Sequence, residues 1–153
     1  MRWLILGCLI IVSTGCTHWQ APAGEQTAVL TFSANDLSAQ PMLCDGSRMR
    51  PTRLALGLSP PGREDIYADI NERLGKASTV SVDIPADQPL IVGVRYTDRS
   101  GTSRRVCRSA ARFTASESSQ YQAHFHAEGG RCNLEVHDSD DNRASEPHPW
   151  QCP

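Results

Sequence analysis

Through most of the chain, apolar and polar residues alternate in short runs, the period of a strand with one buried face. Residues 27–33 set Ala28, Leu30 and Phe32 against Thr27, Val29 and Thr31. Shorter runs at 42–45 and 52–58 predict two further strands. Val80, Val82 and Ile84 predict a strand over 79–84, and Ile91, Val92, Val94 and Tyr96 one over 90–97. Another spans 102–114 with a break near Ser109. Residues 121–127 and 131–137 read as a hairpin about Glu128-Gly129-Gly130. Turn signals separate these runs, at Pro85 to Pro89 and at Asp98-Arg99-Ser100-Gly101.

One stretch has a different period. After the hard break Ser59-Pro60-Pro61-Gly62, Ile66, Ile70 and Leu74 recur every fourth residue. Glu64 and Asp65 come early, Arg73 and Lys76 late, and Gly75 stands where a helix would end. A short helix is expected there, with a loop or strand as the alternative. Many short strands at regular spacing with one short helix define a mainly β chain. The expected fold is an antiparallel β-sandwich, immunoglobulin-like or transthyretin-like.

The first sixteen residues follow another rule. Arg2 is followed by an apolar run from Trp3 to Val12, then Ser13, Thr14, Gly15 and Cys16. This is the layout of an export signal, and the run is too short to span a bilayer. A small-residue tripeptide before Cys16 resembles the lipobox of bacterial lipoproteins, with Ser13 where that box usually has Leu. The resemblance covers residues 1–17. It implies removal of residues 1–15 and acylation of Cys16, so that two or three chains hold the protein to a membrane. With Thr17 rather than Asp after the cysteine, it also implies sorting to the inner leaflet of the outer membrane of a Gram-negative cell, facing the periplasm. The expected organisation is a signal peptide at 1–15, a tether at 16–26, a sandwich at 27–138 and a polar tail at 139–153.

Loss of residues 1–15 also removes Cys8. Cys44, Cys107, Cys132 and Cys152 remain besides Cys16. An even number in an exported domain reads as two disulfides. Of the three connectivities, Cys107–Cys132 and Cys44–Cys152 are preferred: the first would staple neighbouring strands, the second would pin the tail. No two cysteines are spaced as C-x-x-C, which disfavours zinc or thioredoxin-like chemistry.

Net charge is −2 for the whole chain, and loss of Arg2 with the signal makes it −3. A nucleic-acid partner does not fit that balance. Lys76 is the only lysine, so the positive charge is almost all arginine. Arg99, Arg104, Arg105, Arg108 and Arg112 crowd one segment and could grip lipopolysaccharide phosphate, peptidoglycan carboxylates or an acidic protein face. Arg104 and Arg105 are neighbours, however, and must point to opposite faces of a strand.

On the last hairpin His124 and His126 share the face opposite Tyr121, Ala123 and Phe125. If Phe125 faces Cys132, Asn133 falls opposite His124 and Glu135 opposite Gln122. Together with His137 this arrangement could bind a divalent metal through neutral imidazoles. Asp138-Ser139-Asp140-Asp141-Asn142 begins like an EF-hand loop, but Arg143 and Pro149 stand where that loop needs Gly and Glu. Gly-x-Ser-x-Gly, His-Glu-x-x-His and a glycine-rich phosphate loop are absent from the sequence. The expected function is a non-enzymatic, lipid-anchored binding or accessory module for an envelope protein or polymer. It needs no cofactor. A periplasmic metal-binding protein using His124, His126 and His137 is the alternative.

Overall fold

The computed structural model describes residues 18–35, 38–100 and 102–153. The signal peptide and Cys16 lie outside the described residues. The chain folds as a two-sheet β-sandwich with one short helix and two disulfides.

The first sheet contains four strands: β1 (Thr27–Ala34), β6 (Thr79–Pro85), β9 (Gln120–Glu128) and β10 (Arg131–His137), in the order β10-β9-β1-β6. The second is built on β7 (Pro89–Ser100) and β8 (Ser103–Thr114), flanked by β2 (Ala39–Asp45) and by β11 (Glu146–His148). β3 (Arg48–Pro51), β4 (Ala55–Leu56) and β5 (Lys76–Ala77) complete its edge. Most pairs are antiparallel. The exceptions are β1 with β9 and β4 with β5, which run parallel.

The alternating residues close on one core between the sheets. Leu30, Phe32, Ala123, Phe125, Leu134 and Val136 from the first sheet meet Leu43, Val92, Val94, Ala111 and Phe113 from the second. Cys107–Cys132 ties β8 to β10 across the sandwich, with Cα atoms 6.2 Å apart. Cys44–Cys152 ties the tail to β2, at 5.7 Å. Both preferred pairings are therefore present.

Several elements depart from the sequence expectation. β8 runs unbroken through Ser109, because each of its residues finds a partner on β7. The run at 52–58 forms only the two-residue β4, since Thr52 is buried and its hydroxyl donates to the Leu54 carbonyl at 2.6 Å, bending the chain. The polar tail contributes a strand of its own: β11 pairs with β8. The segment before β1 is docked at its start. The Trp19 amide donates to Pro51 O at 2.8 Å and its indole to Asp83 O at 3.1 Å, joining the edges of the two sheets. Among the described residues no helix is long and apolar enough to cross a membrane.

The expected helix, α1 (Glu64–Arg73), is present, with Gly75 just beyond it at φ 63°. Its apolar stripe faces outward: Ile66, Ile70 and Leu74 are 64%, 44% and 61% exposed. The helix is held instead through Asn71, which is buried and donates to Leu58 O at 2.7 Å. Gly57 makes room for it, because a Cβ there would lie 2.2 Å from the Asn71 side chain.

Candidate functional site

The outward face of β7 and β8 is fixed by their pairing. Val92, Val94 and Phe113 point into the core, so residues of the other parity point out. Directly opposite residues share a face. Along the outward face the rungs are Ile91 with Arg112, Gly93 with Ala110, Arg95 with Arg108, Thr97 with Val106, and Arg99 with Arg104.

The tail covers one half of this face. Ile91 is buried and lies with His148, Gln151 and Cys152 around a common hollow. Trp150 lies against Gly93, where a Cβ would come within 2.6 Å of the ring. The Arg108 guanidinium sits 6.0 Å from the centre of that indole, a cation–π distance. Beyond Trp150 the face is open. It carries Arg95, Arg99, Arg104 and Arg108, all exposed.

Two of these rungs oppose arginine to arginine. Like charges directly across a strand pair destabilise a sheet. Among the described residues none of the four arginines has a carboxylate within 4.0 Å, although ion pairs form elsewhere, as at Arg50–Asp45, Arg73–Asp69 and Arg143–Glu135. Beside the rungs runs an open groove of about 310 Å³, lined by Arg95, Arg99, Arg104, Thr97, Gln40 and Ser38. Its polar walls are held in place. The Gln40 amide nitrogen donates to Pro41 O and Thr52 O, both at 3.1 Å, and Lys76 Nζ donates to Ser38 Oγ at 2.7 Å. The described residues lining the groove include no Asp or Glu.

Of the five arginines singled out in the sequence, Arg99, Arg104 and Arg108 therefore lie on the open half. Arg112 shares their face but is separated from them by the Trp150 rung, and Glu146 is its partner on β11. Arg105 is on the other face, opposite Asp98, at the mouth of the sandwich beside Cys107 and Gly129. Arg95 was missed. Its parity with Arg99, with Val94 and Tyr96 on the opposite side, was the available signal.

The histidine face lies on the outer side of the other sheet, in a different register from the one expected. Phe125 pairs with Leu134, not Cys132, which brings Glu135 opposite His124 and Asn133 opposite His126. The two-residue shift follows from the tight Gly129-Gly130 turn, which lets Glu128 pair with Arg131 directly. His124 and His137 approach edge to face at 6.0 Å. His124 Nδ1 shares a 2.7 Å hydrogen bond with Ser33 Oγ. His126 Nε2 faces Glu128 at 3.2 Å.

His137 has an acceptor at each ring nitrogen. Nδ1 lies 3.2 Å from Asp141 O and 3.1 Å from its carboxylate, and Nε2 lies 3.6 Å from Glu135. The Asp141 carbonyl chiefly, and the two carboxylates after it, raise the His137 pKa above its ordinary 6.5. A ring surrounded by acceptors favours the imidazolium, whereas a metal needs a free lone pair. Among the described residues no three His, Cys, Asp or Glu side chains converge as a metal site requires. The geometry therefore does not support the expected set of His124, His126 and His137 as a metal centre. The acidic loop after it is occupied by its own backbone: Asp138 Oδ1 accepts from the Asp140 and Asn142 amides, both at 2.9 Å. These bonds, the Asn142 amide foremost, lower the Asp138 pKa.

Comparison with known proteins finds no matching family model, no similar curated protein and no similar solved structure. By its fold, the protein is a disulfide-stapled β-sandwich with an arginine-lined open face.

Proposed function

We propose that this chain is an envelope lipoprotein, anchored through acylated Cys16 in the inner leaflet of the outer membrane, that serves as a non-enzymatic binding module for an anionic partner. The observation that carries the reading is the pair of arginine-on-arginine rungs, Arg95 with Arg108 and Arg99 with Arg104, with no carboxylate among the described residues within 4.0 Å of them. A sheet gains nothing from two such oppositions, and an anion laid across them removes both.

The N-terminal segment supports the anchoring part. Trp19 is docked on the domain, so Thr17 and His18 alone would separate the lipid from the fold, a span of roughly 10 Å. The domain would stand on the membrane surface rather than on a long leash, and confinement there raises its concentration relative to an envelope partner.

Two measurements test the reading. The intact mass of the mature protein should show the loss of residues 1–15 and the gain of acyl chains; an unacylated mass removes the anchor. In-cell crosslinking should capture one dominant anionic partner with the native chain. Capture should fall to background with Arg95→Glu, Arg99→Glu and with Cys16→Ala. Unchanged capture by the double arginine variant would show that the partner binds elsewhere.

A further inference from the structure

The arginine face has a pattern more specific than positive charge. Its charges come as two forks. Within a rung the two Cβ atoms are about 5 Å apart, so both guanidiniums reach one small anion. The two rungs are four residues apart along β7 and along β8, which separates them by about 14 Å. Between them lie Thr97, its rung partner Val106 and the groove wall Ser38, while Gln40 stands beside Arg95 on β2. Thr97 and Ser38 offer hydroxyls that hydrogen-bond to neutral hydroxyls.

From this spacing we infer that the face is a binding site for a phosphorylated saccharide that carries a phosphate monoester at each end, the headgroup chemistry of a bisphosphorylated glycolipid. This rests on the reading of the arginine face as the working surface.

Charge matching selects phosphate over carboxylate. One guanidinium saturates a carboxylate bidentately, and a second beside it would stay unbalanced. A phosphate monoester carries about −1.5 to −2 charge and three acceptor oxygens, which suits two guanidiniums. Spacing selects two phosphates on one molecule, because a lone phosphate would leave the second rung in repulsion. The stretch between the rungs is about the length of a disaccharide and carries the Thr97 and Ser38 hydroxyls beside Val106, with no carboxylate among the described residues that line the groove. Gln40 and Ser38 are held by Thr52 and Lys76, so little order need be gained on binding. Trp150, held over Gly93 beside Arg108, bounds the site at the tail side.

The test uses the full-length lipoprotein in neutral detergent and soluble probes, so that the protein's own acyl chains do not obscure binding. The probes are a diglucosamine with a phosphate on each sugar, the same disaccharide with one phosphate, inorganic phosphate, and a disaccharide carrying two carboxylates. Titration calorimetry should give the bisphosphate at least about tenfold tighter binding than the monophosphate. Arg99→Gln should abolish that advantage while leaving monophosphate binding at the Arg95 rung. Arg131→Gln, on the other sheet, should change nothing. Equal affinity for one and two phosphates would overturn the two-fork inference, as would equal binding of the dicarboxylate. If the bisphosphate fails to bind while crosslinked capture still depends on Arg95 and Arg99, the saccharide is wrong and the anionic face stands. If neither depends on them, both fall.

Discussion

His137 lies between the Asp141 carbonyl and carboxylate on one side and Glu135 on the other, and its charge is coupled to folding. Its pKa is raised in the folded state, so the stability it contributes is fully present below its ordinary 6.5 and is lost as pH rises through the raised value. Glu135 behaves oppositely. Its pKa is lowered, first by the Asn133 amide and then by Arg143 and His137, and its contribution is lost as pH falls through that lowered value. Urea unfolding of the native chain and of His137→Gln should therefore differ most near about pH 5.5 and converge by about pH 9. A difference independent of pH across that window would mean that the ring acts by packing alone. Gly93 is the other residue whose identity is set by one neighbour. Gly93→Ala places a Cβ 2.6 Å from Trp150 and should destabilise the fold by about 1–3 kcal/mol. In a Trp150→Ala background the same change should cost much less; an equal cost in both would show that the ring is not what it meets.

At the scale of elements, α1 is inverted relative to its sequence pattern. The i, i+4, i+8 stripe that would normally be buried is exposed, and a polar residue makes the attachment. Asn71→Ala should cost about 1–3 kcal/mol, through the lost bond to Leu58 O and the void beside Gly57. Ile70→Ser should stay within about 0.5 kcal/mol of the native chain, because it removes little burial. Thermal melts of the two variants should separate them in that order, and the reverse order would place the stripe against the fold. The alternating strands, by contrast, were legible from sequence. Their periodicity is a local property of half-buried chain, and β1, β6, β9 and β10 fall close to where it puts them. The β9–β10 register was not legible in the same way. A shift of two residues preserves every apolar position on the core side, so periodicity alone cannot separate the two pairings.

Across the whole molecule, the second sheet divides its outer surface between two uses. The tail, held by Cys44–Cys152, covers Ile91 and Gly93, and the remainder is left to four arginines. On the proposed function, that division sets stability against binding. Arg95→Gln removes one like-charge opposition and should raise stability by about 0.2–1 kcal/mol in dilute buffer. The gain should vanish near about 1 M salt, where the screening length is about 3 Å, while anion binding in dilute buffer weakens. A variant less stable at low salt would show that Arg95 is balanced by a contact within the fold, and the case for an external anion would weaken with it.

The amino-acid sequence determined the β-sandwich, the short helix and that four cysteines form two disulfides, because strand period, turn residues and an even cysteine count act locally or through composition. Which cysteines pair was one preference among three until the fold brought Cys44 to Cys152 and Cys107 to Cys132. It also named three of the four arginines on the open face. Only the tertiary structure decided which arginines stand together. Parity assigns a residue to one face of its own strand, but the β7–β8 register brought Arg95 against Arg108 and Arg99 against Arg104, and the path of the tail separated Arg112 from them. The register follows from where the β7–β8 hairpin turns, after Ser100 rather than at Asp98-Arg99-Ser100-Gly101 as the turn signal suggested, so that Asp98 and Arg99 stay in the strand. The path of the tail is a long-range contact that no local pattern encodes.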